Sequence, residues 1–343
     1  MFTKLRYIIL CFGIVSNVAV FAQSKWRSFL PKPSTDISVW TSINNNFSRM
    51  VYNAGSVNPI VFESNNRLSQ TVGVDYASYT LQYSFNLPLN SLDKSIPLSD
   101  YWRFEIGYGG KNWEIDAYFS QVQGWVDVHD VHLYKTGQNH EVPRYRDDML
   151  MYTAGLTVFY FLNEKYSYSH AMKHAYKQNE SGFTFYSSFK HKYHWLWVDS
   201  TFYLNQTELV QNSMNDLNHL FVLENSITFG LTRLWTNGNW FLRGLIGVGP
   251  GVQFQRFNIG DHTQRRTFIS PAVDAKLSFG YKTRGLYMSF NVPFDAIFVY
   301  LPDKTHYYQT NPSLSFLVGF QLHDLFKRKN HNEKELESTL NSF

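Results

Sequence analysis

The feature that most restricts the fold of this 343-residue chain is a strict two-residue alternation of apolar and polar side chains. The stretch RGLYMSFNVPFDAIF shows it clearly: Met288, Phe290 and Val292 share one parity, whereas Ser289 and Asn291 share the other. Successive side chains of a strand point to opposite faces, so this stretch predicts a strand with one apolar and one polar face. A soluble core and a lipid bilayer both fit one such strand, and the number of strands and the destination of the chain decide between them.

The same alternation recurs along most of the chain, without a helical period of comparable quality. Further apolar rows begin at Trp102, Trp113, Tyr152, Phe183, Trp240, Ile269 and Leu314. Aromatic residues make up 18% of the chain, yet mean hydropathy is −0.31. No apolar run after the first 22 residues approaches the roughly 20 residues that a membrane helix needs. This combination is typical of membrane-spanning strands, in which only every second residue meets lipid.

The first 22 residues have the order of a secretory signal peptide: a basic start, an apolar run, and small residues before a predicted cleavage at Gln23. Cys11 has no small residue just before it, so we interpret it as part of the signal rather than as a lipid attachment site. Removing Lys4 and Arg6 from the 31 basic residues leaves 29 against 27 acidic ones, a net charge of +2. The exported chain then has no cysteine, and extensive strand pairing or a surrounding membrane must hold it together. This charge balance predicts no nucleic-acid partner.

Short and long connections alternate between the rows. Short turn signals stand at 107–113, 161–166, 190–194, 235–240 and 280–287, and all but 190–194 contain Gly or Asn. Longer polar segments lie at 88–100, about 129–146, 205–218, 256–265 and 301–311. Outer-membrane barrels have short turns in the periplasm and long loops outside the cell. Aromatic residues beside three of the short turns predict a girdle at the periplasmic interface: Tyr108, Trp113, Trp235, Trp240, Tyr281 and Tyr287.

We predict fourteen strand segments, an even number because both ends should lie in the periplasm. They are 36–53, 58–76, 78–87, 100–109, 112–128, 147–162, 165–175, 181–190, 194–204, 219–235, 239–255, 266–280, 285–299 and 312–323. The alternation is weakest in the first two segments and in 165–175, so twelve strands is the alternative. The predicted organisation is a signal peptide (1–22), a periplasmic segment (23–35), a transmembrane antiparallel β-barrel (36–326) and a charged periplasmic tail (327–343).

Part of the chain resembles a known family. The stretch FLNEKYSYSHAMKHAYKQNESGFTFYSSF, with DMLMYTAGLTVFY before it and YFSQVQGWV upstream, is similar to an outer-membrane β-barrel family of Bacteroidetes described only as a domain of unknown function. The residues that carry the resemblance are Asn163, Tyr166, Ser167, Tyr168, Gln178, Ser181 and Gly182. The resemblance implies a barrel and supplies no catalytic residues.

The polar faces carry charges of both signs, which in a barrel would point into the lumen. We predict that lumen-lining binding residues are Arg103, Glu105, Glu114, Asp116, Arg243, Asp274 and Lys276, with Lys190 and Lys192 on the same kind of face. Mixed charges there can form a network that plugs a narrow barrel or can line a wet channel that selects solutes. The sequence does not decide between a plugged and a water-filled lumen. A third possibility is that these residues form the solvated face of a sheet in a soluble protein.

Two histidine clusters are candidate metal or catalytic sites. In VDVHDVHLY, Asp127, His129, Asp130 and His132 could supply a carboxylate-oriented imidazole or a set of metal ligands, but on a strand the two histidines point to opposite faces. His170 and His174 share a face in either a helix or a strand. We favour a polar surface loop for the first cluster and no ligand pair for the second. No nucleophile motif, phosphate-binding loop or zinc spacing is present, so we predict no cofactor, no metal and no assigned catalytic residue.

We therefore predict an integral barrel of the Gram-negative outer membrane, exported through a cleaved signal peptide. Its partners are expected to be outer-membrane lipid and, during biogenesis, periplasmic chaperones and the barrel assembly machinery. A pore or surface-binding barrel is the first prediction for its function. The alternatives are an outer-membrane hydrolase with its site in the lumen or the loops, and a soluble periplasmic β-protein.

Overall fold

The computed structural model describes most of the predicted barrel. The described residues are 37–46, 49–53, 60–76, 78–89, 91–110, 112–128, 145–162, 181–199, 217–283, 285–294, 296–300, 306–310 and 313–322. The predicted signal peptide, N-terminal segment and C-terminal tail lie outside these residues. Within the described residues, no helix is long and apolar enough to cross a membrane.

Sixteen antiparallel strands run through the described residues. They are β1 (Ile37–Asn46), β2 (Arg49–Asn53), β3 (Ile60–Glu63), β4 (Leu68–Tyr76), β5 (Tyr79–Asn86), β6 (Asp100–Gly109), β7 (Trp113–Asp127), β8 (Tyr145–Phe161), β9 (Gly182–Val198), β10 (Leu217–Asn237), β11 (Trp240–Ile259), β12 (His262–Lys282), β13 (Leu286–Phe294), β14 (Ala296–Tyr300), β15 (His306–Thr310) and β16 (Ser313–Leu322). The longest of them, β10 and β12, have 21 residues each.

Twelve of these strands close into a ring in chain order. Leaving out β2, β3, β14 and β15, each strand pairs with the next, and β16 pairs back with β1 over the full length of both. Closure gives every strand of the ring two neighbours, which removes the unpaired edges that a lipid bilayer does not tolerate. The prediction of a transmembrane antiparallel β-barrel is confirmed.

The two faces of each strand differ as the alternation predicts. The apolar face points outwards and the polar face inwards, which is the opposite of a soluble barrel. On β9, Phe185 and Phe189 are exposed on the outer surface, whereas Lys190 and Ser188 are buried inside. On β12, Leu277 is likewise exposed and the serine that follows it is buried. An apolar exterior around a polar interior is the arrangement of a barrel in lipid, so the outward side chains form the membrane belt.

The end of the barrel where β1 begins carries four tight connections. The connections at 77–78, 110–112, 238–239 and 283–285 all lie there, and Gly238 supplies a positive φ of 60°. Short turns mark the periplasmic end of such barrels. Three aromatic pairs belong to this interface on the outer surface: Tyr79 with Tyr108, Trp113 with Tyr160, and Trp240 with Tyr281, with ring centroids 5.1, 4.7 and 5.0 Å apart.

Tyr287 departs from the predicted girdle. It is 2% exposed and packs inside the barrel with Trp40 and Leu317. Its parity within β13 explains this, because Tyr287 lies on the face opposite to the exposed Phe290. The aromatic character of a residue beside a turn does not decide whether it meets lipid; its register does.

The ring has the alternative strand count, twelve, rather than the preferred fourteen. The predicted segments 181–190 and 194–204 are one continuous strand, β9, so the turn predicted at 190–194 is wrong. Its lysines and histidines suggested a polar turn, but they alternate between the two faces like any strand. The other surplus segment, 165–175, and most of the short turn predicted at 161–166 lie outside the described residues, and β8 pairs directly with β9.

One connection predicted as a long loop is a tight hairpin. The segment 256–265 belongs to β11 and β12, which pair without interruption up to Ile259 and His262. Gly260, with a φ of 52°, and Asp261 form the turn. Gly260 adopts the positive φ that a two-residue turn requires, so the two polar strands can stay paired beyond the membrane. The polar composition alone had suggested a loop.

Four short strands extend the barrel at its extracellular end. Strands β14, β15, β2 and β3 pair with one another in that order, and β3 then pairs with the end of β7. The connection between β5 and β6 is held beneath them by Asn65, whose side-chain nitrogen lies 3.0 Å from the carbonyl oxygen of Asp93 and 2.8 Å from that of Pro97. These strands and this connection narrow the extracellular mouth.

Candidate functional site

The predicted lumen residues lie on the inner face of the barrel wall. Glu114, Arg243 and Asp274 are fully buried there, whereas Arg103, Glu105, Asp116 and Lys276 are half-buried. Each alternates with an exposed apolar residue of the same strand, as the sequence predicted. That these residues bind a solute stays a prediction.

The first group of charges lies on β6 and β7. Arg103 donates to Glu105 with an Nη2 to Oε2 distance of 2.6 Å, and its guanidinium lies 4.0 Å from the ring centroid of Tyr118. Pairing at this distance neutralises both charges locally. Arg103 and Glu105 thus satisfy each other within one strand.

The second group is centred on Asp274 of β12. This carboxylate forms an ion pair with Lys190 of β9 and accepts hydrogen bonds from Ser188 at 3.0 Å, Thr228 and Tyr186 at 3.4 Å. Strands β9 and β12 are separated in the ring by β10 and β11. The contacts therefore join parts of the wall that are three strands apart in the ring.

Tyr186 reaches Asp274 because two glycines leave it room. The register places Tyr186 opposite Gly230, Gly230 opposite Gly247, and Gly247 opposite Asp274. A Cβ at Gly230 would lie 2.7 Å from the tyrosine ring, and one at Gly247 would lie 2.3 Å from the tyrosine hydroxyl oxygen. The ring therefore lies flat over two strands, which only glycine allows at these positions.

Lys276 connects these groups with other parts of the wall. Its Nζ lies 5.9 Å from the ring centroid of Phe159 on β8, four strands away, and it interacts electrostatically with Glu105 on β6, the strand opposite in the ring. Arg243 lies on the neighbouring β11 with its guanidinium 5.1 Å from the ring centroid of Phe241. Lys276 is thus within electrostatic reach of side chains on β6 and β8, in other parts of the wall.

A buried polar ladder stands further towards the extracellular end. Gln253 donates from Nε2 to Oε2 of Glu224 at 2.9 Å and to the carbonyl oxygen of Phe298 at 2.9 Å. Gln255 donates to Oε1 of Gln253 at 3.1 Å. The bond to Phe298 joins β11 to the short strand β14, so the ladder fixes the extracellular extension against the wall.

Two large apolar clusters lie inside the barrel. The periplasmic cluster contains Phe159, Phe161, Tyr186, Leu234 and Leu245, all at most 4% exposed. The extracellular cluster joins β2, β3 and β14 to the walls β7 to β11 through Met50, Phe62, Val122, Trp125, Met149, Met151, Leu196, Val198, Leu217, Leu220, Val222, Phe257 and Val299. Charged residues stand among these side chains, since Arg243 lies opposite Leu234 and Glu114 opposite Phe159 in the register.

Tyr145, at the extracellular end of β8, lies outside the membrane belt beside the connection held by Asn65. Its hydroxyl donates to the carbonyl oxygen of Leu98 at 3.1 Å. Burial raises the pKa of the Tyr145 phenol, and Asp147 and Asp100 raise it further. The phenol therefore stays protonated as a donor and helps to hold the connection over the mouth.

The described residues hold no group of three or more His, Cys, Asp or Glu side chains suited to a metal ion. The cluster at 126–134 is described only as far as Val128, and His170 and His174 also lie outside the described residues, so both histidine predictions stay untested. The sequence analysis did not predict Tyr186, Gln253 and Glu224 as lumen residues. Each lies on the inner face of its strand, and this position in the alternation would have been enough to predict them.

A closed antiparallel barrel with an apolar outer belt, a polar interior and four tight turns at one end defines an outer-membrane β-barrel protein. The fold is similar to outer membrane protease OmpT from Escherichia coli, with 9% identity over 85% of this chain and 98% of that chain and a TM-score of 0.37. It is also similar to the toluene transporter TodX from P. putida, with 7% identity over 85% and 90% of the two chains and a TM-score of 0.29. The β domain of the Bordetella autotransporter BrkA gives 9% identity over 83% and 98% and a TM-score of 0.34.

The chain belongs to the family described as a domain of unknown function, DUF4421, which it matches over residues 29–322. The resemblance to a barrel family of unknown function is thereby confirmed. None of the curated proteins matches the chain.

Proposed function

We propose that this protein is a surface-binding barrel of the outer membrane with a closed lumen, rather than an open pore. The observation that carries the proposal is the set of contacts between inward side chains of different strands, from Lys190 to Asp274 and from Lys276 to Phe159. An open channel needs inward side chains that face water, whereas Lys190 and Asp274 face each other and large apolar clusters lie towards both ends of the lumen. The mixed charges were compatible with a network that plugs the lumen or with a wet channel, and these contacts favour the plug.

The soluble alternative does not fit the outer surface. Large apolar side chains such as Phe229, Val248 and Ile269 are 63%, 63% and 71% exposed on the outside of the ring. A soluble protein rarely exposes a continuous apolar belt of this kind. Binding is therefore to be sought on the outer surface of the barrel and at its extracellular end.

The hairpin of β11 and β12 offers such a surface just above the belt. Arg256 and Arg265 lie directly opposite each other in the register and are both exposed, next to exposed Arg266. On the same outward face below them stand the exposed apolar residues Phe254 and Ile269. Like charges opposite each other destabilise a strand pair unless an anion lies between them. We therefore infer that this arginine pair binds phosphate groups of outer-leaflet glycolipid.

Planar bilayer recordings test the closed lumen. The refolded full chain, with insertion verified by heat-dependent migration on gels, is expected to give no conductance steps above the bare bilayer, because the paired inward charges and the apolar clusters towards both ends oppose a continuous water path. A general porin reconstituted in the same way is the positive control. Sustained, ohmic steps from the folded barrel would contradict the closed lumen.

Replacing both Arg256 and Arg265 with glutamine is expected to weaken binding of a bisphosphorylated glycolipid by about tenfold or more, since each arginine loses a charged hydrogen bond. Titration in detergent micelles, read by native mass spectrometry, measures this, with the dephosphorylated glycolipid as reference ligand. Arg233→Gln is the matched control, because Arg233 is exposed on the outer face at the periplasmic end, 4.6 Å from the Trp235 ring centroid. Equal affinity of the double variant and the control variant would refute phosphate binding at the hairpin.

A further inference from the structure

A polar cluster interrupts the apolar outer surface of β9. The outward row of this strand contains Phe185, Phe189, Trp195 and Trp197, each more than 40% exposed, and His191 stands in the middle of it. Polar and ionisable side chains that face lipid are costly, so they are rare there and mark a candidate functional site. The geometry of the cluster is therefore informative.

His191 has a hydrogen-bond partner on each of its ring nitrogens. Its Nδ1 lies 2.6 Å from Oδ1 of Asn225, which is directly opposite on β10. Its Nε2 lies 2.7 Å from the hydroxyl oxygen of Tyr193, two positions further along β9 on the same outer face. The amide oxygen of Asn225 can only accept, so the ring proton is on Nδ1 and the Nε2 lone pair faces the phenol.

These three groups have the arrangement of an activated nucleophile. A nucleophile within hydrogen-bond reach of a base, with the base held in orientation by a third group, is the common requirement of covalent acyl transfer. Here Tyr193 is the nucleophile, His191 the base and Asn225 the orienting group. A phenol gives up its proton to imidazole more readily than a serine hydroxyl does, which suits tyrosine to the first role.

The position of the cluster on the barrel indicates which kind of substrate could reach it. It opens to the outer surface, where Tyr193 is 40% exposed, and it lies one position below the stacked pair Trp195 and Trp197 on the same face, towards the extracellular end. Tryptophan side chains in such belts lie at the headgroup level of the bilayer. The group that reaches Tyr193 is therefore the acyl ester of an outer-leaflet lipid.

We propose that Tyr193, His191 and Asn225 form a lipid-facing site that hydrolyses acyl esters. The Tyr193 oxygen attacks the ester carbonyl carbon while its proton passes to Nε2 of His191. The carbon–oxygen bond to the alcohol then breaks, and the alcohol leaves with that proton. Water attacks the acyl-tyrosine ester, gives a proton to His191 and releases the fatty acid, and the phenolate takes the proton back. No oxidant, metal or cofactor is needed.

The sequence did not reveal this site because the stretch that contains it, 190–194, suggested a turn. The structure makes it part of β9, which brings His191 and Tyr193 to one face and Asn225 beside them from β10. The site also lies outside the lumen, so it goes beyond the proposed surface-binding function and does not depend on whether the lumen conducts.

A covalent probe tests the activation of Tyr193. Phenolate is a better leaving group than an alkoxide, so the acyl-tyrosine should not accumulate, and a lipophilic aryl sulfonyl fluoride, whose adduct with tyrosine is stable, is the suitable reagent. Labelling of the folded full chain in micelles, located by peptide mass spectrometry, is expected to be at least tenfold faster at Tyr193 than at Tyr83. Tyr83 is 44% exposed on the outer face of β5, stacked on Phe85, and serves as the internal control.

Release of fatty acid from outer-leaflet glycolipid and from phospholipid, each in mixed micelles, tests the substrate. Tyr193→Phe is expected to abolish turnover and His191→Ala to abolish both turnover and the labelling preference, while Tyr83→Phe retains turnover and the labelling rate of Tyr193. Circular dichroism and heat-dependent migration verify that each variant is folded. Labelling of Tyr193 at the rate of Tyr83, the absence of lipid turnover by the folded chain, or unchanged turnover in Tyr193→Phe would each overturn the proposal.

Discussion

Replacing Asp274 with alanine is expected to destabilise the barrel by about 3–5 kcal/mol, because Lys190 then keeps a buried charge without its counter-ion. Both side chains are nearly inaccessible, 10% exposed for Lys190 and 5% for Asp274. Ser188 and Thr228 lose their shared acceptor at the same time, although they remain 2.6 Å from each other. Urea unfolding in lipid vesicles, followed by tryptophan fluorescence, measures the change.

Two further variants separate the loss of pairing from the loss of the side chain itself. The double replacement Lys190→Met and Asp274→Leu removes both charges and should recover most of the lost stability, since apolar residues of similar size commonly replace a buried ion pair without penalty. Asp261→Ala, on the exposed extracellular turn, is the surface control and should change stability little. An Asp274→Ala barrel that unfolds at the same urea concentration as the parent would show that the pair does not hold the lumen together.

Gly230→Ala is expected to destabilise the barrel by about 2–3 kcal/mol, although it adds a single methyl group. The added Cβ would lie 2.2 Å from the carbonyl oxygen of Ile246 and 2.6 Å from Cα of Gly247, both backbone atoms of β11. These backbone atoms cannot move aside as the end of a flexible side chain can, so strands β10 and β11 must separate. The ring of Tyr186, 2.7 Å from the added Cβ, must shift as well. The same urea titration measures the loss.

Gly285→Ala is the matched control for this prediction. Nothing lies within 4 Å of a Cβ built at Gly285, which stands in the periplasmic connection before β13. We expect this variant to unfold like the parent protein. Equal stability of the two alanine variants would mean that the close approach at Gly230 does not constrain the wall.

Much of the wall could be read from local pattern. The outward rows at Trp102, Trp113 and Trp240 and the inward charges Arg103 and Asp274 follow directly from parity, because a strand has only two faces. The twelve-strand alternative was also available, since the weakness of 165–175 was visible in the sequence. The predictions of a turn at 190–194 and of a loop at 256–265 are wrong for the same reason. Both segments are polar, and polar composition was interpreted as a sign of irregular structure. Polar residues also occur on the inner faces of strands and in strands that extend beyond the membrane.

The candidate sites needed more than parity. That Lys190 pairs with Asp274 depends on two strands that intervene between them, and that His191 meets Asn225 depends on the register of β9 against β10. A register shift of one residue would place every partner on the other face. Sequence spacing within one strand carries no information about such a shift.

For most of the wall, the alternation alone indicated which side chains face lipid and which face the interior, because alternation along a strand is a local property of the backbone. The three-dimensional structure was needed to show that charged side chains pair inside the barrel, that Tyr186 crosses two glycines to reach Asp274, and that His191, Tyr193 and Asn225 meet on the outer surface. Those arrangements depend on ring closure and on the register between strands far apart in the chain, and these are set by the sum of all pairings around the barrel rather than by any one segment.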